Sequence, residues 1–161
     1  MKIRAMRIDD YDAVVALWNA CLASARDIDD TPEAIARFLR RNPGLSVVAV
    51  EEDAPHNHPD AGRLPQETSA TPSTEGNVIL GSILCGHDGR RGYLYHVAVD
   101  AAHRRGGVGQ AMLEACLAAL RAEGIDRCAL ITFTSNGAGN AFWDAMGIYA
   151  RREVNFREGA L

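Results

Sequence analysis

Val97-Ala98-Val99-Asp100-Ala101-Ala102-His103-Arg104-Arg105-Gly106-Gly107-Val108-Gly109-Gln110 is the stretch that decides how this chain folds. An apolar run feeds a glycine-rich turn, which opens directly into residues 107–123. There Val108, Met112, Leu113, Cys116, Leu117 and Leu120 recur at helical spacing until Gly124. A strand that turns straight into a helix brings unpaired backbone N–H groups together at the positive end of the helix dipole. That is an anion cradle. Gly106, Gly107 and Gly109 let an anion reach the main chain with no Cβ in the way, and Arg104 and Arg105 add cationic donors beside it. The expected guest carries phosphate.

Two common phosphate binders are disfavoured by single residues. A Walker A loop needs Gly-Lys-Ser/Thr, and this chain reads Gly109-Gln110-Ala111. A dinucleotide fingerprint started at Gly107 places Met112 where a glycine or alanine must allow close packing. The next strand, residues 128–133, leads into Thr134-Ser135-Asn136, with no acid for a ribose hydroxyl.

Working outward, residues 2–8 alternate as a half-buried strand. Asp9 and Asp10 offer an N-cap to a helix carrying Tyr11, Val14, Val15, Leu17, Trp18, Cys21 and Leu22. Thr31-Pro32-Glu33 starts a second helix, stopped by Asn42-Pro43-Gly44, and residues 45–51 form a strand. Residues 52–77 are rich in Pro, Asp, Glu, Ser and Thr and read as a long polar loop inside one domain. His56 and His58 within it read as hydrated side chains, so no metal site is expected. Residues 78–85 and 93–99 bracket Asp88-Gly89 as a hairpin. Ser135 or Asn136 caps a last helix closed by Gly147, and residues 148–156 read as a final strand. The expected class is α/β (α+β): a mixed, mostly antiparallel sheet with one parallel strand pair and about four helices on both faces.

The 161 residues, 17.4 kDa, suit a single domain spanning 1–161. With 17 basic and 21 acidic side chains the net charge is −4, which disfavours nucleic-acid binding driven by phosphate neutralisation. Lys2 is the one lysine, leaving almost nowhere for Schiff-base chemistry. No apolar run approaches a membrane span, and the N-terminus lacks a signal-peptide core, so a cytoplasmic protein is expected. Cys21, Cys85, Cys116 and Cys128 form no C-x-x-C pair and read as buried thiols in a reducing compartment.

Two blocks resemble the GNAT family of N-acetyltransferases. Arg104-Arg105-Gly106-Gly107-Val108-Gly109 follows its Arg/Gln-x-x-Gly-x-Gly/Ala signature behind Val97-Ala98-Val99-Asp100. Residues 136–148, with Asn136, Ala138, Phe142, Trp143 and Gly147, look like its second block. The resemblance implies a GNAT-like fold and acetyl-CoA as cosubstrate. It further implies that the main chain of Arg104, Arg105, Gly106, Gly107, Val108, Gly109 and Gln110 holds the pyrophosphate. Backbone groups of Val97 and Val99 would pair with the pantetheine arm, the Val97 N–H near the thioester oxygen, and Asn136 would contact the arm. A splay between strands ending at Val99 and Phe133 would form the slot. The implied reaction is direct acetyl transfer to a primary amine of a small molecule or protein, by a monomer or homodimer. A non-catalytic acetyl-CoA-binding sensor or interaction module is the alternative.

An alkyl amine of pKa about 10.4 is almost fully protonated at neutral pH, while a thiol of pKa about 8.5 leaves readily, so base assistance matters more than acid. Trp143 stands at the family's general-acid tyrosine, and Ile131 and Tyr93 stand where subfamilies carry a basic glutamate. Strand alternation puts Tyr93 and Tyr95 on that base's face, as candidates to order a water chain. His96, the better-suited base, points to the other face unless a bulge intervenes. Asp27, Asp29, Asp30 and Glu33 gather between the first two helices, where the acceptor is expected.

Overall fold

The computed structural model describes residues 1–21, 30–51 and 78–157. The polar loop with His56 and His58, and the acids Asp27 and Asp29, lie outside the described residues. The chain divides into two compact units, Met1–Leu130 and Ile131–Leu161, taken here in turn.

In the first unit, strand β1 (Lys2–Ala5) leads through a 3-10 turn (Ile8–Asp10) into α1 (Tyr11–Cys21). Asp10 does its capping one turn early: its carboxylate accepts the Arg7 N–H at 2.9 Å and both terminal nitrogens of Arg4 at 2.6 and 2.7 Å. Helix α2 (Pro32–Arg41) has the expected cap, the Thr31 hydroxyl accepting the Ala34 N–H at 3.2 Å, with proline in its first turn. Strands β2 (Val47–Val50), β3 (Ile79–His87) and β4 (Gly92–Val99) follow, then α3 (Val108–Ala122) and β5 (Cys128–Leu130). The β3–β4 hairpin closes on Asp88, whose carboxylate accepts the N–H groups of Arg90 and Arg91 at 2.8 Å.

The strands lie in the order β1-β2-β3-β4-β5, antiparallel except for the β4–β5 pair joined by the α3 crossover. This is the mixed sheet anticipated from the sequence. Helix α1 packs on β3 and β4, where Val14, Trp18, Ile35, Val48, Leu84 and Ala98 form one core. Helix α3 covers the other face through Met112, Leu113, Cys116 and Leu120, all buried. It lies very close to the sheet: a Cβ at Gly81 would stand 2.7 Å from the Met112 methyl carbon. The four cysteines are unbridged; Cys85 and Cys116 are buried, and the Cys116 thiol donates to Leu45 O at 3.4 Å. Its hydrogen bond with Cys85, and then burial, push the Cys116 thiol far up from its ordinary value, so it stays protonated.

The second unit contains α4 (Gly137–Ala145), capped as expected by Asn136, whose side-chain oxygen accepts the Gly139 N–H at 3.0 Å. Trp143 is buried and meets Phe142 edge-on at 4.9 Å. Two expectations need correction. The strand expected over 128–133 stops at Leu130, and its ladder ends at the Leu94–Leu130 pair. No strand forms over 148–156. Tyr149, Val154 and Phe156 are 62–71% exposed, so the alternation that resembled a strand has no apolar face to bury.

The Arg4–Asp10 pair is nearly buried, with side-chain exposures of 13% and 4%. Burial acts to raise the Asp10 carboxyl, but the hydrogen bonds from Arg4 and the Arg7 N–H, with both guanidinium charges, outweigh it and hold the group below the usual carboxylate range. A depressed carboxyl contributes stability above its unfolded pKa of about 3.9 and loses it as pH falls through the lower folded value. Asp10→Ala is therefore expected to cost about 3 kcal/mol in urea unfolding at neutral pH, and the gap to wild type should narrow below about pH 3.9.

Candidate active site

Between β4 and α3 the backbone is held open. Asp100, 5% exposed, accepts the Ala102 N–H at 3.0 Å and bonds His103 Nδ1 at 2.9 Å, fixing a short 3-10 turn (Ala101–His103). Arg104 Nε donates to Val99 O at 3.1 Å. Arg105 and Gly107 then take left-handed conformations, φ 63° and 83°. The first α3 hydrogen bond runs from Ala111 N–H to Gly107 O at 2.9 Å, so the amides of Val108, Gly109 and Gln110 have no helical carbonyl. A Cβ built on Gly107 meets nothing within 4 Å. Three amides at a helix N-terminus without helical partners, beside open space at Gly107, are able to hold an anion. A cavity of about 420 Å³ opens beside them, lined by Glu51, Leu80, His103, Arg104, Gly106 and Val108 among others.

On β4 the register slips. Ser82 faces Ala98, yet Leu84 faces Tyr95, so β4 carries one residue more than β3 over this interval. His96 adopts φ 47° there, a left-handed value that histidine rarely takes. This bulge resets the direction of every side chain beyond it. Tyr93 and Tyr95 stack at 6.2 Å and so share one face as expected, and Tyr95 meets Phe38 of α2 at 6.0 Å, which makes it the α1–α2 face. His96 joins them: its ring lies 4.4 Å from Trp18 of α1, and its Nε2 is 2.8 Å from Asp30 Oδ1. The sequence expectation turned His96 to the opposite face unless a bulge intervened; the bulge does. Trp18 is fixed in turn by donating to Ser82 Oγ at 2.9 Å.

Beyond Leu94, residues 95–99 of β4 extend past their last pair with β5. Val99 O accepts from Cys21 Sγ at 3.4 Å as well as from Arg104, so both its lone pairs are engaged and a ligand there has only the Val99 N–H. Burial first, and then the adjacent Tyr93 phenol, push the Tyr95 hydroxyl above its ordinary value, which suits it to hydrogen bonding and not to acting as a base. Asp30 as the partner of His96 was not found from sequence; it sits 66 positions away with no spacing signal. Asn136 is in the second unit, where its side chain caps α4.

Amides left open at the start of α3, beside a bulged strand that runs past its last pair with β5, suit a phosphate-bearing ligand. The sequence profile of the Acetyltransferase (GNAT) family matches residues 11–148, and the chain belongs to that family. An acetyltransferase of Pectobacterium atrosepticum is 28% identical over 153 residues, covering 95% of this chain and 86% of that protein. Among solved structures, Ard1 from Thermoplasma volcanium superposes with TM-score 0.66 at 20% identity over 91% of this chain and 80% of that one. The NatC complex bound to Gag peptide and CoA gives 0.65 at 20% identity, over 91% and 84%. The protein is an N-acetyltransferase, and its acetyl donor is acetyl-CoA.

Gly107→Glu puts a carboxylate among the cradle amides and a Cβ at a left-handed φ. By calorimetry acetyl-CoA affinity should fall at least about 100-fold, the loss of roughly 3 kcal/mol expected when charge-assisted bonds give way to repulsion. Gly107→Asn, which tolerates this backbone, should stay within about 10-fold of wild type.

Proposed function

We propose that this protein transfers acetyl from acetyl-CoA directly to a primary amine of a small molecule or a protein, in the cytoplasm. The observation that carries the reading is the open group of amides at Val108, Gly109 and Gln110 under Gly107. When bound, acetyl-CoA supplies an activated thioester. The main chain of residues 104–110 would hold its pyrophosphate, and the open edge of β4 at Val97 and Val99 would align its arm.

The acceptor arrives as an ammonium, neutral to only about one part in a few thousand near pH 7. The protein's task is to receive a proton and to exclude bulk water. The aromatic wall of Phe38, Tyr93 and Tyr95 serves the second purpose, with Tyr95 43% exposed at its rim. An aromatic face also attracts an ammonium, by about 0.5–1 kcal/mol at exposed sites. Buried Trp143 has an indole N–H and no titrating proton, so help to the departing thiolate does not come from that position. No helix among the described residues is long and apolar enough to cross a membrane.

Release of free CoA is the decisive measurement, followed across polyamines, aminoglycosides, amino acids and peptides. One or more should turn over, whereas tight acetyl-CoA binding without turnover on any amine would overturn the reading. Tyr95→Phe should lower kcat by about 10-fold, less than loss of a full general base, and leave acetyl-CoA affinity unchanged.

A further inference from the structure

We infer that His96 is the group that takes the acceptor's proton, and that Asp30 is the positioning residue that makes it able to. The inference rests on the acetyl-transfer reading above and assigns its proton path. Asp30 Oδ1 lies 2.8 Å from His96 Nε2, with the carboxylate side chain 6% exposed and the imidazole 24%. An ionised carboxylate only accepts hydrogen bonds, so the Nε2 it faces carries the hydrogen and the lone pair resides on Nδ1. Among the described residues, Nδ1 has no hydrogen-bond partner. One ring nitrogen is thus locked as a donor to a buried acid, and the other is left as an acceptor on a partly exposed ring. This is the arrangement by which a carboxylate prepares a histidine base.

The backbone places that acceptor usefully. His96 directly precedes Val97 on a stretch of β4 that lies beyond its last pair with β5, so the ring is carried by the backbone next to the Val97 N–H. His96 holds a left-handed φ of 47°, which costs energy for a non-glycine residue, and the surroundings hold it there. Trp18 flanks the ring at 4.4 Å, and the Tyr11 hydroxyl donates to Asp30 O at 2.7 Å, pinning the segment that carries the acid. The ammonium first gives one proton to water; the neutral amine nitrogen then forms its bond to the acetyl carbon, the carbon–sulfur bond breaks, CoA leaves as thiolate, and the nitrogen's second proton goes to Nδ1. That proton is afterwards returned to the thiolate or to water.

The test uses the full chain with spermidine, tyramine and an alanine-starting peptide as acceptor probes. His96→Gly and His96→Asn both tolerate the left-handed backbone, so loss of the ring is separated from loss of the bulge. Each should lower kcat by about 10²–10⁴-fold, with acceptor KM and acetyl-CoA affinity within about three-fold of wild type. Added imidazole should restore part of the rate to His96→Gly and none to wild type. Nitrogen NMR of ring-labelled histidine, assigned by the resonance absent from His96→Asn, should show Nε2 protonated and Nδ1 bare in the uncomplexed protein, with the tautomer reversed in Asp30→Asn. Wild-type turnover with undiminished kcat in both His96 variants, or a wild-type ring with Nδ1 protonated and Nε2 bare, overturns the inference alone. A wild-type protein releasing CoA with none of these probes and with no other polyamine, aminoglycoside, amino acid or peptide of the panel overturns the acetyl-transfer reading and this inference with it.

Discussion

Strand β4 has to satisfy two helices at once, and one additional residue lets it do so. From Gly92 to Leu94 its inward side chains pack against α3, while Tyr93 and Tyr95 turn to α1 and α2. A regular strand would keep that phase to its end and send Ala98 to the wrong side of the sheet. The bulge between Tyr95 and Ala98 changes the phase, so that Ala98 joins Trp18 and Leu84 in the α1 core while Val99 continues straight into the cradle. The backbone irregularity and the candidate chemistry are the same feature, since the residue that absorbs the slip is His96. Strain at that position is offset by the Trp18 ring of α1 and the buried carboxylate of Asp30.

The cradle depends on a different balance. Among the described residues no carbonyl bonds the first amides of α3, and a turn so left open needs support from elsewhere. Asp100 and Arg104 supply that support from behind, through Ala102, His103 and Val99 O. Arg104, expected from sequence as a donor beside the phosphate, thus also has a scaffold role through Nε. The arrangement is preorganised: the polar groups are aimed before anything binds.

Features written in local chemistry were legible in the sequence. Thr31 and Asn136 cap the helices they precede, the Asp88–Gly89 hairpin closes where expected, and the glycine cluster opens α3. The mixed sheet followed from the order of these elements and the α3 crossover. What failed was decided by partners distant in the chain. Ile131-Thr132-Phe133 are β-branched and aromatic, more strand-like by type than Cys128–Leu130, but lie beyond the last ladder pair, and 148–156 alternate without an apolar face to cover. The bulge has no local mark, because Tyr95-His96-Val97 contains no glycine to announce a left-handed residue. The pairing of Asp30 with His96 joins two segments that only the fold brings together.

The close seat of α3 on the sheet sets an order on evolutionary change. A side chain at Gly81 would collide first with the end of Met112, a flexible thioether, and also press on Ala98 O at 3.0 Å. Trimming residue 112 before enlarging residue 81 removes the first collision, whereas the reverse order makes the Met112 side chain move aside against β3. Lineages that carry a side chain at position 81 should therefore carry a shorter one at 112, and a library that varies residue 81 alone samples the collision in every member.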